Sequence, residues 1–319
     1  MRKVLGLMAI MVLMAFGACM SEIESDLEKA IERDDAFLVS FLERNNINAI
    51  ETPLGYYYRK DISNDTGNQI VNNDIVGLYY EIKTLDGQLI DSYLDESKAP
   101  RIFAHSEGGL VPRAMNFAAG LAKEGETFTL FVPSYLAYQE YSFQNLILPN
   151  SNLEIKVKFV ATYSEEEIKD MEEQMILDYL EANNLTGFEK TEEGLFVKTI
   201  SSGDEGQPVA TDGNVVSFTY QLFQLGETQT LAQATDATNP FQISLGGASN
   251  LKFLNLSFKG LSRNSELEVI SPSHLAFGTP TQVFPFQIRR DLFNKSYIVT
   301  SARPFEPVYF KTKVVNVRQ

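Results

Sequence analysis

"PSYLAY" at Pro133–Tyr138 returns as "PSHLAF" at Pro272–Phe277, and this recurrence decides how the rest of the chain is read. Other stretches return in the same order. "FLERNN" (Phe41–Asn46) is answered by "YLEANN" (Tyr179–Asn184), "NDIVGLYY" (Asn73–Tyr80) by "GNVVSFTY" (Gly213–Tyr220), and Gly120-Leu121 by Gly260-Leu261. A period of roughly 140 residues means two copies of a domain, since solenoid units run only about 20 to 50 residues. The 319 residues suffice for two cores of ordinary size.

Each copy opens with an amphipathic helix. Leu27, Ala30, Ile31, Phe37, Leu38, Phe41 and Leu42 recur mostly at helical spacing. Ahead of the second copy Ser164-x-x-Glu167 reads as a capping box, followed by Ile168, Met171, Met175, Ile176, Tyr179 and Leu180 on one face. The remainder of each copy reads as strand: "IVGLYYEI" runs into Asp86-Gly87, a hairpin dipeptide, and "LEIKVKFV" alternates. "PRAMNFAAGL" (Pro112–Leu121) predicts a short helix inside the first β-rich domain. The class is therefore α+β. The expected divisions are a signal at 1–18, tether and helix at 19–48, a domain at 49–163, a connecting helix at 164–186 and a second domain at 187–319.

Arg2 and Lys3 precede an apolar run from Val4 to Phe16, and "FGAC" then ends at Cys19, the single cysteine. The run is too short to span a bilayer comfortably. A secretory signal cut near Ala18 stays open. The preferred reading is a bacterial lipoprotein signal with Cys19 as the lipidated residue, although Phe16 stands where the lipobox usually has Leu. Such lipidation anchors stably, so the expected place is the cell envelope, on the outer membrane, facing the periplasm or the exterior. "MSEIESD" (Met20–Asp26) reads either as a solvated acidic tether or as an export signal. A formal net charge of −15 argues against nucleic acid as a partner. The two histidines, His105 and His274, lie far apart, and neither a metal nor a cofactor is expected.

The first copy resembles the FKBP-type peptidyl-prolyl isomerases. "YEIKTLDGQLIDS", "LVPRAMNFAAGL", "PSYLAYQ" and "ILPNSNLEIKV" succeed one another in the family's order and at nearly its spacing, over roughly Glu51–Tyr163. The second copy, roughly Thr191–Gln319, retains "VVSFTY", "NPFQISLGG", "FKGL", "PSHLAFG" and a last strand "VYFKTKV". The resemblance implies two FKBP-like domains, each a curved antiparallel sheet over a short helix. It also implies chemistry without a nucleophile or metal. Amide resonance sets a barrier of about 18–20 kcal/mol to turning an X-Pro bond, and an apolar pocket favours the twisted, less polar amide.

Carried over residue by residue, the resemblance makes Tyr80, Asp91 and Tyr138 the catalytic groups of the first copy, if it is active. Leu110 and Val111 would hold the peptide through their backbone, with Ile90, Ile147 and Ile155 around it. Departures are evident: Ile90, Arg101 and Ile155 replace family aromatics, and Ala114 replaces the floor Trp, which predicts a void or a collapsed site. In the second copy Tyr220, Phe241, Leu251, Leu254, Phe277 and Phe310 would form a more apolar peptide site. There Leu231 takes the Asp position and Phe277 the position of the hydroxyl-bearing Tyr. Neither copy retains the full constellation. The expected function is therefore polypeptide binding, as a folding or assembly factor or chaperone, or as an accessory subunit of an outer-membrane complex, with isomerase activity weak or lost. The competing class is an active prolyl isomerase.

One segment is not explained by the repeat. The stretch between Phe277 and Pro304 is far longer than its counterpart between Tyr138 and Pro149, and it carries "VFPFQIRRDLFNKSYIVTSARPF" (Val283–Phe305). Loops of this length usually have a role. Two readings stay open: a flap packed on its own domain, or a docking surface, since aromatics and Arg anchor interfaces.

Overall fold

The computed structural model describes residues 26–318. The expected signal, Cys19 and nearly all of the acidic stretch after it lie outside the described residues.

Helix α1 (Asp26–Arg44) leads into β1 (Ile50–Glu51), β2 (Tyr57–Ile62), β3 (Ile75–Thr84), β4 (Leu89–Tyr93), β5 (Arg101–Ala104), β6 (Leu110–Val111), α2 (Arg113–Ala119), β7 (Thr127–Val132) and β8 (Leu153–Tyr163). The second half repeats the series: α3 (Glu165–Ala182), β9 (Glu189–Lys190), β10 (Phe196–Ser202), β11 (Val215–Gln224), β12 (Thr230–Ala234), β13 (Phe241–Ser244), α4 (Lys252–Phe258) and β14 (Ser265–Ser271). It then departs through β15 (Gln282–Val283) and α5 (Arg289–Asn294) before closing with β16 (Val308–Arg318). The first sheet runs β1-β2-β7-β8-β3-β4 with β5 also on β3, and the second runs β9-β10-β14-β16-β11-β12 with β13 also on β11. The two orders are the same, all pairings within them are antiparallel, and each sheet covers one short helix. The two halves are thus tandem copies of one α+β plan, an antiparallel sheet over a short helix, as the sequence repeat predicts.

Period-two alternation drives the sheets. On β8, Leu153, Ile155, Val157 and Phe159 are fully buried while their neighbours face outward. Ala114, Met115, Ala118 and Ala119 of α2 pack under the first sheet. Under the second sheet the helix brings rings: Phe258 lies 4.4 Å from Phe218, and Phe253 5.3 Å from Phe310.

The repeated "PS" phrase is held by the helix that precedes its own domain. "PSYLAY" forms a 3-10 turn at Ser134–Leu136, and the Asp34 carboxylate on α1 accepts from the Ser134 backbone N–H at 2.9 Å and from its hydroxyl at 2.5 Å. In the second copy Glu172 on α3 accepts from the Ser273 N–H at 2.5 Å and from its hydroxyl. Both carboxylates are buried in an apolar stripe at i, i+4, i+8: Asp34 with Leu38 and Leu42, Glu172 with Ile168 and Ile176. Burial of this acid displaces two residues expected on the inner faces, and Phe37 and Met175 are exposed instead. The expected capping box is present, with the Glu167 N–H donating to Ser164 Oγ and the Ser164 N–H to Glu167 Oε2.

Strand β15 does not join its own sheet. It pairs in parallel with β6 of the first domain, Gln282 opposite Leu110 and Val283 opposite Val111. The Val111-Pro112 and Phe284-Pro285 bonds at this crossing are both cis.

Replacing Asp34 by Ala strips the buried Ser134 hydroxyl of its acceptor, at about 1–3 kcal/mol, while the Ser134 N–H still donates to Asn152 Oδ1 at 2.8 Å. In urea unfolding, Asp34→Ala should therefore lose at least about 1 kcal/mol; a loss no larger than that of the exposed control Glu43→Ala would contradict the clasp. Burial lifts the Glu172 carboxyl above the ordinary glutamate range, against the pull of the two Ser273 hydrogen bonds. A carboxyl raised in the folded state favours folding at low pH and withdraws that contribution as pH rises. Wild type should thus lose stability relative to Glu172→Gln as pH rises above the ordinary glutamate range of about 4, and parallel urea midpoints across that rise would refute it.

Candidate functional site, an occupied peptide groove

The groove of the first domain is built where β3, β4, β6 and the Ser134–Leu136 turn converge. Strand β3 turns Tyr80 inward, and β4 sets Asp91 opposite Ile82. The Tyr80 hydroxyl donates to Asp91 Oδ2 at 2.6 Å. Burial first, then the Asp91 charge and hydrogen bond, push the Tyr80 phenol far above its ordinary range. Burial does the same to Tyr138, which stands at the end of "PSYLAY". Ile90, Leu110, Ile147 and Ile155 are buried in the same cluster, and Val111 is half-buried against it. The sequence-derived residues of the first copy therefore do converge on one place.

That place is filled by the second half of the chain. The Gln282 N–H donates to the Gly109 carbonyl at 2.8 Å, and the Phe284 N–H to the Val111 carbonyl at 2.9 Å. The Tyr138 hydroxyl donates to the Phe284 carbonyl at 2.8 Å. The Phe284 ring is fully buried, its centroid 4.2 Å from that of Tyr80. Phe286 stacks on Phe284 at 5.6 Å. An extended Phe-Pro segment thus sits in the groove, held by backbone pairing, one phenol hydroxyl and one buried ring.

Two departures from the family pattern acquire a different meaning in this setting. Ala114 is fully buried in the same cluster that receives the Phe284 ring. Arg101 is not simply a lost aromatic: its guanidinium lies 4.1 Å from the Tyr93 ring centre and 4.3 Å from that of Phe286, between the two faces. Arg303 approaches Phe286 at 4.8 Å. The long segment is also not a flap on its own domain, since Val283, Phe284, Ile288, Leu292 and Ile298 belong to the core of the first domain.

Its outer end is fixed separately. The Tyr141 hydroxyl donates to Asp291 Oδ2 at 2.8 Å, Lys295 pairs with Asp291 at 2.7 Å, and Tyr297 meets Tyr141 edge-on at 6.0 Å. At the base, the buried Arg289 donates to the carbonyls of Thr281 at 2.7 Å, Ser301 at 3.0 Å and Ala302. Burial, and then the nearby Arg303, lower its pKa to about 10. Arg289 belongs to the segment read as a possible docking surface; Tyr141 and Asp291 were not legible as site residues, because their roles arise from a contact between distant parts of the chain.

The second domain presents a different site. Tyr220 packs against Phe241 at 5.6 Å and Phe310 at 5.7 Å, and Phe310 is buried beneath the surface. Leu251 and Phe277 line an open cleft of about 610 Å³ together with Leu222, Leu231, Phe293 and Val299. One position is corrected. The residue opposite Leu222, as Asp91 is opposite Ile82, is Ala232 rather than Leu231. The β11–β12 loop is one residue longer than the β3–β4 loop, which shifts the register. The missing carboxylate stands either way, and so does Phe277 in place of a hydroxyl-bearing Tyr. Among the described residues no cluster of His, Cys, Asp and Glu could hold a metal ion, and His105 instead bonds Asn116 Oδ1 at 3.0 Å.

Residues 67–160 match the family of FKBP-type peptidyl-prolyl cis-trans isomerases. The chain is similar to the probable FKBP-type peptidyl-prolyl cis-trans isomerase FkpA of Neisseria meningitidis serogroup B, with 31% identity over 140 residues, 43% of this chain and 48% of that protein. It thus spans about half the length of that curated relative. Among solved structures it is similar to the three FKBP domains of wheat FKBP73, at 16% identity and a TM-score of 0.32 over 85% of this chain and 98% of that one. It is also similar to FkpA from Escherichia coli, at 22% identity and a TM-score of 0.35 over 48% of this chain and 71% of that one.

Because Phe284 completes the core of the other domain, its truncation should be felt there. Phe284→Ala is expected to cost about 3–5 kcal/mol. Amide exchange should accelerate along Tyr80–Ile82 more than along Tyr220–Leu222. Acceleration confined to the second domain would contradict this packing.

Proposed function

We propose that this protein is a membrane-anchored, polypeptide-binding member of the FKBP-type group that works as a folding or assembly factor of the bacterial envelope, with weak or absent isomerase activity. One observation carries the binding reading: the first groove holds an extended Phe-Pro segment by its main chain and by Tyr138. Main-chain pairing along an exposed strand is a general way to bind polypeptide with little dependence on its side chains. The open apolar cleft beside Phe277 in the second domain offers a further surface for such clients or for subunits of a membrane complex. The anchoring reading rests on Cys19 after "FGA".

Low turnover is the consequence of the site's composition. Ile90 and Ile155 replace aromatics, and the ring closest to Tyr80 belongs to the chain's own Phe284. A loss of about 4 kcal/mol in preferential stabilisation of the twisted amide is roughly a thousandfold in rate. The mature chain should therefore barely accelerate isomerisation of an X-Pro test peptide while still suppressing aggregation of an unfolded protein. A second reading, an active isomerase, is favoured by the intact Tyr80–Asp91 hydrogen bond and by the hydroxyl of Tyr138. Robust turnover abolished by Asp91→Ala would establish that second reading in place of the first.

For the anchor, Cys19→Ser is expected to move the protein from the membrane to the soluble envelope fraction. If that variant stays with the membrane, the lipoprotein reading fails. Digestion by protease added to intact cells would support a surface location, and protection until lysis a periplasmic one.

A further inference from the structure

Resting on the polypeptide-binding reading above, we infer that residues 281–298 are a tethered occupant of the first groove, and that client chains enter it by displacing this strap with an aromatic-Pro-aromatic segment of their own. The strap makes the contacts of a ligand. It adds two residues to β6, places one carbonyl on the Tyr138 hydroxyl and buries one ring beside Tyr80. The groove reads the residues on both sides of Pro285, with Phe284 against Tyr80 and Phe286 against the guanidinium of Arg101. These two rings define the client class.

The strap also has a way out. The β6–β15 pair is its one ladder with the first domain and is separate from both large sheets, so release breaks neither of them. Near its distal end Tyr297 is 65% exposed, and Val299 just beyond it is 89% exposed, while Ile298 between them is buried. The distal anchors, Tyr141 to Asp291 and Arg290 to the Thr230 carbonyl, lie outside the groove and do not require it to be filled. Covalent attachment holds the occupant at a high effective concentration, so a free segment of equal chemistry competes poorly until the strap is weakened.

The probe is a labelled peptide carrying the strap sequence from Gln282 to Arg289, titrated by fluorescence anisotropy into the mature chain. Apparent affinity scales with the fraction of molecules whose groove is open, so Phe284→Ala should bind the peptide at least about tenfold more tightly than wild type. A peptide with Ala in place of both Phe residues should bind neither protein. Equal affinity of the strap peptide for wild type and Phe284→Ala would overturn the inference. A second measurement uses wild type alone and is independent of how the variant folds. Peptide at concentrations that saturate binding should speed hydrogen exchange at the Gln282 and Phe284 amides. Unchanged exchange at saturation, or no binding at all, identifies the strap as permanent core and overturns the inference. If an unfolded protein still binds in that case, the polypeptide-binding reading survives; if nothing binds, both fall.

Discussion

The arrangement of this chain depends on the seating of one side chain. Phe284 carries its ring into the first domain beside Tyr80, and its backbone is held on both sides, by Val111 and by Tyr138. A ring buried this completely leaves a cavity in close-packed surroundings unless another ring takes its place. Ile288, Leu292 and Ile298, further along the chain, add apolar surface to the same core. The two domains, which share a topology, are therefore not equivalent in packing: one gives up a segment, and the other is completed by it.

What the two copies share and where they differ divide along the same line. The buried acid on the leading helix and the serine of the "PS" phrase occur in both, as Asp34 with Ser134 and Glu172 with Ser273. This pair fixes the turn from which Tyr138 and Phe277 emerge, so the support beneath each pocket is the same. The pockets above it are not. In the first, the phenols and Asp91 are kept and a foreign segment lies among them. In the second, Tyr220 remains but Asp91 and Tyr138 have no polar counterparts, and a mostly apolar cleft stands open. A buried carboxylate with two donors is costly to disturb on either side, which accounts for a common support under divergent surfaces.

The two helices and the strands were legible because period and turn dipeptides are local signals. The repeat gave the domain count, and the aligned phrases brought Tyr80, Asp91 and Tyr138 to one groove. The clasp was within reach: aligning "FLERNN" with "YLEANN" sets Asp34 against Glu172, and an acid repeated in an apolar stripe signals a buried partner. The register at Leu231 was missed because a single added loop residue slides one strand past its neighbour. The strap was harder. The surplus rings of the loop, Phe284 and Phe286, find their place against Tyr80 and Arg101 of the other domain. They meet only once the fold brings them together, since no local propensity encodes which surface a loop will meet.

The direction of synthesis gives the strap a further consequence. Residues up to Tyr163 contain every strand of the first sheet, so that sheet can form while the rest of the chain is still emerging. Its buried cluster nevertheless includes side chains as late as Ile298. Until those residues leave the ribosome, Tyr80, Tyr138 and Leu110 line an uncovered apolar slot. The nascent protein therefore passes through a stage in which its first groove is open, and the contact that closes it is among the most distant in sequence that the fold makes, the kind that forms last.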